Sequence, residues 1–251
     1  MQRSEEPPTK IAVVMPAYNA AATLGATYER IPPGFADEII LVDDASIDTT
    51  PAVAEQLGLR VIVHPHNVGY GGNQKTCYME ALRLGADIVI MLHPDGQYDP
   101  EILPEMAGPI RRGQAHVVIG SRMLAPGGAR AAHMPWWKII ANRFLTACEN
   151  LVLRQGLSEY HSGYRAYSRE FLETVPFLRN DNGFVFDTEI LAQATAFGFK
   201  IHEVPARTRY FKEASSVGFG TSVKYGFGTL NAMLKYVLHR LGIKRSRLFS
   251  R

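Results

Sequence analysis

The sequence predicts a single α/β domain with a mostly parallel, doubly wound sheet that is flanked by helices. First, short apolar, β-branched runs alternate with helical segments of about ten residues, which is the pattern of βα units. Second, 251 residues, of which 46% are hydrophobic, are enough to bury one full core. Third, several apolar runs end directly in acidic, glycine or proline residues. In open α/β sheets, ligands bind outside this end of the strands.

The individual elements are predicted from hydrophobic periodicity. Strands are expected at 11–15, 38–42, 60–63, 88–92, 117–119 and 200–204. Helices are expected after residue 20, over 50–57, 74–84, 133–157 and 169–175, and from a start within 183–191. Apolar residues from Phe227 to Leu241 fall at helical spacing and predict a last amphipathic helix. Cys77 and Cys148 lie far apart without a CxxC pattern, which predicts free thiols.

The loop after the strand at 88–92 is the centre of the predicted site. It reads His93-Pro94-Asp95-Gly96-Gln97, so the strand brings one carboxylate, that of Asp95, to the mouth of a cleft. An aspartate after a strand is also common as a turn or helix-cap residue. Asp95 therefore needs support from the rest of the chain before it indicates a ligand site.

A glycine-rich loop spans residues 66–73 and leads into a predicted helix. It does not match a P-loop, because Gln74 stands where glycine should precede Lys75-Thr76. It does not match a dinucleotide-binding fingerprint either, because that motif follows the first strand, which here runs into Pro16-Ala17-Tyr18-Asn19. We expect a tight helix entry beside the cleft, with direct phosphate contact as the alternative.

Charge is distributed unevenly along the chain. Residues 204–251 contain ten basic residues and one acidic residue, a net charge of +9, whereas residues 1–203 have a net charge of −6 from seventeen basic and twenty-three acidic residues. A basic C-terminal part suggests an anionic partner, either membrane headgroups or nucleic acid, with a solvated basic tail as the alternative. Residues 1–10 are polar, are expected to be disordered and do not resemble a signal peptide, so a cytoplasmic protein is expected.

The predicted helix over 133–157 is amphipathic. Apolar residues recur at helical spacing along it, and Trp136-Trp137-Lys138 stands near its start. Packing on the core is the ordinary role of such a helix. An aromatic residue beside a basic one is also favoured at a bilayer surface. The protein is therefore expected to be cytoplasmic, with peripheral attachment to the inner face of the membrane as a further possibility.

Six short motifs, taken together in their order and spacing, identify a family resemblance. They are Val-Met-Pro-Ala-Tyr-Asn at 14–19, Leu-Val-Asp-Asp-Ala-Ser-Ile-Asp at 41–48, Asn-Val-Gly-Tyr-Gly-Gly at 67–72, His-Pro-Asp-Gly-Gln-Tyr-Asp-Pro at 93–100, Gly-Ser-Arg at 120–122 and Ser-Gly-Tyr-Arg-Ala-Tyr at 162–167. With them, the chain resembles the inverting glycosyltransferases of family 2, which have a Rossmann-like GT-A fold. It looks most like the polyprenyl- and dolichyl-phosphate sugar synthases of that family. The resemblance implies a GT-A domain over 11–224 and an amphipathic, basic C-terminal helix and tail over 225–251.

The resemblance also implies roles for individual residues. Those implied to bind the nucleotide sugar are Pro16, Tyr18, Asn19, Val42, Asp44, Asp95, Gln97, Arg122 and Arg209. Asp95 and Gln97, with His93, are implied to hold a divalent cation, Mn²⁺ or Mg²⁺. The implied catalytic residues are Asp95, Arg165, Asp187 and Glu189. Of these, Arg165 would grip an acceptor phosphate, together with Arg207 and Arg209, whereas Asp187 or Glu189 would act as base towards a hydroxyl acceptor.

The chain departs from the family pattern at three places. His93 replaces the first carboxylate of the usual Asp-x-Asp, Ala20 stands where the lipid-phosphate enzymes often have Glu, and Ser215-Ser216 stands where they often have Ser-Lys. Losing a carboxylate weakens a site for a hard cation, and an imidazole is accepted more readily by Mn²⁺ than by Mg²⁺. We therefore expect Mn²⁺ to serve at least as well as Mg²⁺.

The expected function is transfer of a sugar, with inversion, from a nucleotide-diphosphate sugar to a polyprenyl or dolichyl phosphate at the membrane surface. The alternatives are transfer to a saccharide hydroxyl and non-catalytic binding of a nucleotide sugar. A pyrophosphorylase would need a glycine-rich phosphate loop after the first strand, which is absent from 16–19. Nucleic acid is not an expected partner, because only the basic C-terminal part favours it and no recognition module is present.

Overall fold

A computed structural model describes residues 9–128, 134–208 and 218–250, and it contains one seven-stranded sheet in the order 3-2-1-4-6-5-7. The strands are β1 (Ile11–Ala17), β2 (Glu38–Asp43), β3 (Arg60–Val63), β4 (Ile88–Met91), β5 (Val117–Ser121), β6 (Arg165–Ser168) and β7 (Ile201–Pro205). The described α-helices are α1 (Ala21–Glu29), α2 (Thr50–Gln56), α3 (Tyr70–Arg83), α4 (Leu103–Arg111), α5 (Trp136–Leu153), α6 (Arg169–Thr174), α7 (Phe186–Ala196) and α8 (Phe219–Arg240). The predicted α/β class is confirmed.

The centre of the sheet is buried on both faces. Every residue of β1 and β4 is buried, and the two strands run parallel with Val13 opposite Ile90. One hydrophobic cluster, which includes Val14 and Met91, packs under α3 and α7, and a second, which includes Val13 and Ile90, lies on the other face with α1 and α4. Full burial of one such side chain contributes about 1.5–3 kcal/mol to stability, which explains why continuous β-branched runs form these strands.

The sheet is mostly parallel, as predicted, but the sequence analysis did not predict strand β6. Strand β6 lies between β4 and β5 and runs antiparallel to both, while the other neighbouring pairs are parallel. Helix α4 was not predicted either. It begins at Leu103, with Pro104 in its first turn and Pro109 inside it. Because proline usually breaks a helix, this segment does not look helical from its sequence.

Helices α5 and α8 pack against each other, and α8 also packs against α7. Gly228 permits the second contact, because a Cβ at this position would lie 2.3 Å from Cγ2 of Val185. Helix α8 begins at Phe219, so the implied domain boundary at 224 falls inside a continuous helix. Leu248 and Phe249 are buried against the main core, so the basic segment after α8 folds back onto the domain and is not a free tail.

The described segments contain no helix that combines the length and apolarity needed to cross a bilayer. Cys77 is buried and Cys148 partly buried, and both are free thiols, as predicted. Burial raises the pKa of Cys77, which makes its thiol unreactive at neutral pH.

Candidate active site

A cavity of about 460 Å³ opens at the carboxyl ends of β1, β2, β4 and β5 and continues between α5 and α8. Its position agrees with the rule for ligand sites in open α/β sheets. Polar and aromatic side chains from several elements line it. They include Tyr18, Asp44, Asn67, Tyr70, Asn73, His93, Asp95, Gln97, Tyr98, Arg122, Trp137, Lys138, Asn142, His161, Asp187, Ser222 and Tyr225.

Asp44, at the end of β2, organises the glycine-rich loop. Its carboxylate accepts hydrogen bonds from the backbone N–H groups of Val68 (2.9 Å) and Gly69 (3.0 Å), and His64 Nδ1 lies 2.9 Å from the same group. Gly69 has φ +90°, a conformation that favours glycine, and α3 begins at the next residue. The loop thus forms the tight helix entry that the sequence predicts, with Asp44 at the cavity wall.

A second glycine of this loop allows close contact with the segment before α7. A Cβ on Gly71 would lie 2.5 Å from the backbone oxygen of Asp181 and 2.7 Å from Cβ of Phe186. Gly71 N donates to the backbone oxygen of Asn182 at 2.7 Å. The loop therefore fixes the position of α7, and with it the position of Asp187.

The residues expected to border the nucleotide divide into two groups. Pro16 and Tyr18 line the cavity, and the side chain of Tyr18 is 54% exposed, which leaves its ring available to a ligand. Asn19 and Val42 do not line it. Asn19 Oδ1 accepts from Ile47 N at 2.9 Å, and Val42 is fully buried with its carbonyl bonded to Asn73 Nδ2. These two residues position the neighbouring loops.

The loop after β4 is held at both ends, which fixes Asp95 at the cavity wall. Pro94 O accepts from Thr23 Oγ1 at 2.6 Å, and the Tyr98 hydroxyl accepts from Gly163 N at 2.8 Å. Asp95 Oδ1 accepts from Gln97 N at 3.0 Å, so Asp95 and Gln97 form one tight turn with both side chains at the cavity.

His93 lies in the cavity wall as a neutral imidazole. Burial lowers its pKa, and the nearby Asp95 and Asp187 only partly offset this effect. Its ring stacks on Tyr70 with centroids 5.6 Å apart, and a Cβ on Gly163 would lie 2.8 Å from its Nε2. No group of three or more His, Cys, Asp or Glu side chains that could hold a metal ion occurs within the described ranges.

Arg165 does not lie where an acceptor phosphate could reach it. It is fully buried and does not line the cavity. Its guanidinium donates to the backbone oxygens of Ser162 (2.8 Å), Asp187 (2.8 Å) and Tyr160 (2.9 Å), and Nη1 lies 3.4 Å from Asp187 Oδ1. The implied contact between Arg165 and phosphate is therefore not supported, and Arg165 positions Asp187.

The two acidic residues at the start of α7 differ in position. Asp187 lines the cavity, and its carboxylate accepts from the Tyr70 hydroxyl at 2.9 Å. Glu189 is buried away from the cavity, where it accepts from Asp181 N at 2.7 Å and lies 3.8 Å from Lys235 Nζ. Burial raises the pKa of Glu189. Of these two candidate bases, only Asp187 is placed to meet an acceptor.

Arg122, after β5, is at the cavity wall and pairs with buried Glu159. Arg122 Nε lies 2.8 Å from Glu159 Oε1, and Nη2 contacts the same carboxylate and donates to the His161 backbone oxygen. Burial raises the pKa of Glu159, but the Arg122 charge and the hydrogen bonds outweigh this, so the pKa is lowered. Whether Arg122 also meets a phosphate stays a prediction.

The remaining implied positions are Ala20, Arg207, Arg209 and Ser215-Ser216. Arg207 is exposed and does not line the cavity, whereas Ala20 does. Arg209 and Ser215-Ser216 lie outside the described residues.

Sequence reasoning missed several residues of the cavity wall. Tyr70 belongs to the glycine-rich loop and Tyr98 to the loop of Asp95. The sequence analysis selected both motifs but did not select these two aromatic rings as cavity residues. His161, in the segment before β6, and Tyr225, on α8, come from segments far apart in the chain and meet only in the folded protein. The signal for His161 was its place next to the Ser-Gly-Tyr-Arg motif.

Comparison with known proteins identifies the family. Residues 12–175 match the model of glycosyl transferase family 2. The chain is 29% identical to polyprenol monophosphomannose synthase of Mycolicibacterium smegmatis, over 79% of this chain and 77% of that protein. It is 28% identical to UDP-N-acetylglucosamine–dolichyl-phosphate N-acetylglucosaminyltransferase of Methanococcus voltae, over 86% of this chain and 92% of that protein.

The fold is also found among solved structures. Glucosyl-3-phosphoglycerate synthase from Mycobacterium tuberculosis, in complex with uridine diphosphate, superimposes with a TM-score of 0.69 at 22% identity, covering 95% of this chain and 82% of that one. At this identity the similarity concerns the fold alone. Together with the match over 12–175, it confirms the expected GT-A architecture, and the chain is a glycosyltransferase that belongs to family 2.

Proposed function

We propose that the protein transfers a sugar, with inversion, from a nucleotide-diphosphate sugar to the phosphate of a polyprenyl or dolichyl lipid. One observation carries the proposal. The cavity that contains Asp95 continues between α5 and α8, and the outer faces of these two helices are apolar and exposed. A lipid acceptor would enter from this side. The named substrates of the polyprenol and dolichyl-phosphate relatives support the same acceptor class.

A phosphate acceptor suits the chemistry of this cavity. A phosphate monoester has a second pKa of about 6, so it is already an anionic nucleophile at pH 7 and needs placement without a general base. A saccharide hydroxyl would need a base, and Asp187 is the carboxylate that would serve, since it lines the cavity. Transfer to a phosphate therefore does not require Asp187 as a base, whereas transfer to a saccharide hydroxyl does.

Asp95, Gln97 and His93 are the side chains that would hold a divalent cation. Asp95 is the one carboxylate among them, and the neutral imidazole of His93 is a possible nitrogen ligand. A site with so few protein ligands fits a cation that takes most of its oxygen ligands from substrate phosphates and water. When bound, the cation neutralises charge that develops on the leaving diphosphate. The imidazole favours Mn²⁺ over Mg²⁺.

We further propose that the α5–α8 face rests on an anionic membrane surface. Exposed apolar residues recur at helical spacing on both helices, namely Trp136, Ile140, Phe144 and Leu151 on α5 and Val223, Phe227, Leu230 and Leu234 on α8. Exposed basic residues accompany them, namely Arg143, Lys224, Lys235 and Arg240. An apolar face flanked by basic side chains is typical of helices that lie in a bilayer interface.

Liposome flotation tests this surface. We expect the full chain to float with anionic liposomes at low salt, and less so at high salt, because each near-surface basic residue contributes about 1 kcal/mol. The double variant Phe144→Ser/Phe227→Ser should lose most of this binding. Val63→Ser/Met79→Ser is the matched control, since both residues are exposed but lie outside α5 and α8. A wild-type protein that stays unbound at low salt would refute the membrane proposal.

The acceptor is tested by transfer of labelled sugar from uridine, guanosine and deoxythymidine diphosphate sugars. We expect transfer to a short polyprenyl phosphate and none to the matching alcohol or to soluble saccharides. Asp187→Asn should keep activity within about tenfold, because a phosphate needs no base, whereas loss of a general base costs about 10²–10⁴-fold. Robust saccharide transfer that disappears in Asp187→Asn would overturn the lipid-phosphate proposal. Donor binding without transfer to any acceptor would favour a non-catalytic binder.

A further inference from the structure

Three side chains form a buried polar cluster in the wall of the cavity, on the side between α5 and α8. His161 Nδ1 lies 2.7 Å from the Tyr225 hydroxyl, and His161 Nε2 lies 3.0 Å from Glu149 Oε2. His161 and Tyr225 line the cavity, while Glu149 lies behind them and is fully buried. None of the three has a place in the chemistry described so far.

Glu149 has an unusual environment for a buried carboxylate. Among the residues that the structure describes, neither of its oxygens accepts a hydrogen bond of good geometry, although His161 Nε2 is close enough for an ion pair. Burying a carboxylate is costly unless a positive charge or a donor compensates it. His161 Nε2 likewise makes no hydrogen bond of good geometry among these residues, so Glu149 faces the imidazole as a charge 3.0 Å away and would pair with a positive ring.

His161 Nδ1 faces the Tyr225 hydroxyl, and the position of the ring hydrogens decides which of the two atoms donates. A neutral ring with its hydrogen on Nε2 accepts the hydroxyl hydrogen of Tyr225 at Nδ1. A protonated ring donates to the Tyr225 oxygen instead, so the hydroxyl hydrogen is released for another acceptor. The neighbouring Thr188 Oγ1, at 3.4 Å, is only a weak alternative partner. In the second arrangement the cavity gains an O–H donor supported by a positive charge.

We infer that Tyr225, held by His161 and Glu149, donates its hydroxyl hydrogen to the phosphate monoester of the acceptor. The inference rests on the proposed function and names a binding residue in place of Arg165, which is buried with its donors directed at protein oxygens. Hydrogen bonds to charged groups are stronger than those between neutral groups. The cluster is at the end of the cavity where α5 and α8 meet, beside the apolar faces from which a lipid would enter.

Proton uptake should accompany binding, because the anion selects the protonated ring. The charged groups around the cluster come from α5, α7, β6 and the segments next to β5 and β6. They are Glu149, Lys138, Asp187, Arg165, Arg122 and Glu159. Arg165 and Asp187 pair with each other, as do Arg122 and Glu159, so Glu149 is the charge that acts directly on His161.

Calorimetric binding to the full chain tests the inference. The probes are citronellyl phosphate, citronellol and phosphoglycerate, each titrated in buffers of different ionisation enthalpy. We expect wild type to bind citronellyl phosphate more tightly than citronellol and to take up protons. Tyr225→Phe should weaken binding of the phosphate at least about tenfold and leave citronellol binding unchanged. His161→Gln should weaken it similarly and abolish proton uptake, a readout that a purely structural role would not move.

Tyr236→Phe, on the same helix but away from the cavity, is the matched control. If wild type prefers citronellyl phosphate and Tyr225→Phe binds it equally well, the inference is wrong and the proposed acceptor class stands. If wild type binds citronellol as tightly as the phosphate, the proposed function itself fails. Tight, Tyr225-dependent binding of phosphoglycerate would support the contact between Tyr225 and a phosphate. It would also indicate that the acceptor is a soluble phosphate ester and not a lipid.

Discussion

Replacing Asp95 with asparagine is expected to lower turnover about a thousandfold while the fold stays intact. Asp95 is the carboxylate that the loop after β4 holds at the cavity wall, so its loss removes the main protein ligand proposed for the cation. A cation bound to the leaving group contributes several kcal/mol to transition-state stabilisation, and each 1.36 kcal/mol corresponds to tenfold in rate. Excess chelator should abolish turnover of the wild type in the same assay, and Mn²⁺ should restore it at least as well as Mg²⁺.

Asp99→Asn is the matched control for Asp95→Asn. Asp99 lies in the same loop, but its carboxylate pairs with Arg30 at 2.7 Å and caps the following turn, and it does not line the cavity. We expect this variant to keep most of its turnover. Full activity in excess chelator, or equal activity of the two variants, would contradict the proposed cation site. His93→Asp, which restores two carboxylates, should shift the preference towards Mg²⁺.

Arg165→Met is expected to lower the free energy of unfolding by about 3–5 kcal/mol, because it leaves Asp187 without its buried partner and removes the guanidinium hydrogen bonds to three backbone oxygens. Urea denaturation measures this loss. Arg207→Met, at an exposed position, should change stability by no more than about 0.5 kcal/mol.

The Arg165 experiment also separates a positioning role from direct acceptor binding. If Arg165 positions Asp187, adding Asp187→Asn to Arg165→Met should recover part of the stability, because the unpaired charge is removed. An Arg165→Met variant that is as stable as wild type but binds a lipid phosphate poorly would contradict the positioning role. Arg165 would then contact the acceptor phosphate, as the family resemblance implies.

The sequence predicted what depends on local pattern. The buried strands follow from hydrophobic runs, and the rule for open sheets led to Asp95 at the mouth of the cleft, where the structure has it, whereas Asp44 was implied by the family resemblance. Helix α4 escaped prediction because its prolines resemble helix breaks. Strand β6 did so because a four-residue antiparallel strand in the middle of a sheet has little local signature.

Side-chain direction was much harder to predict. Arg165 and Glu189 carry charges in motifs typical of a site, yet Arg165 turns into the core and Glu189 turns towards Asp181 and Lys235. Nothing local to either residue fixes that choice, because each partner is supplied by tertiary packing. His161 and Tyr225 are the opposite case. The sequence analysis did not select them, yet their segments, which are remote in sequence, bring them together in the cavity wall.

The division of the cavity between strand ends and helices has an evolutionary consequence. The end that contains Asp44 and Asp95 is built on the rigid centre of the sheet, whereas the end that contains Tyr225 is built on α5 and α8, which pack on its periphery. Substitutions on these two helices can therefore alter which acceptor is admitted while the donor end keeps its shape. Such a scaffold allows related enzymes to diversify their products by changing one end of the cavity at a time.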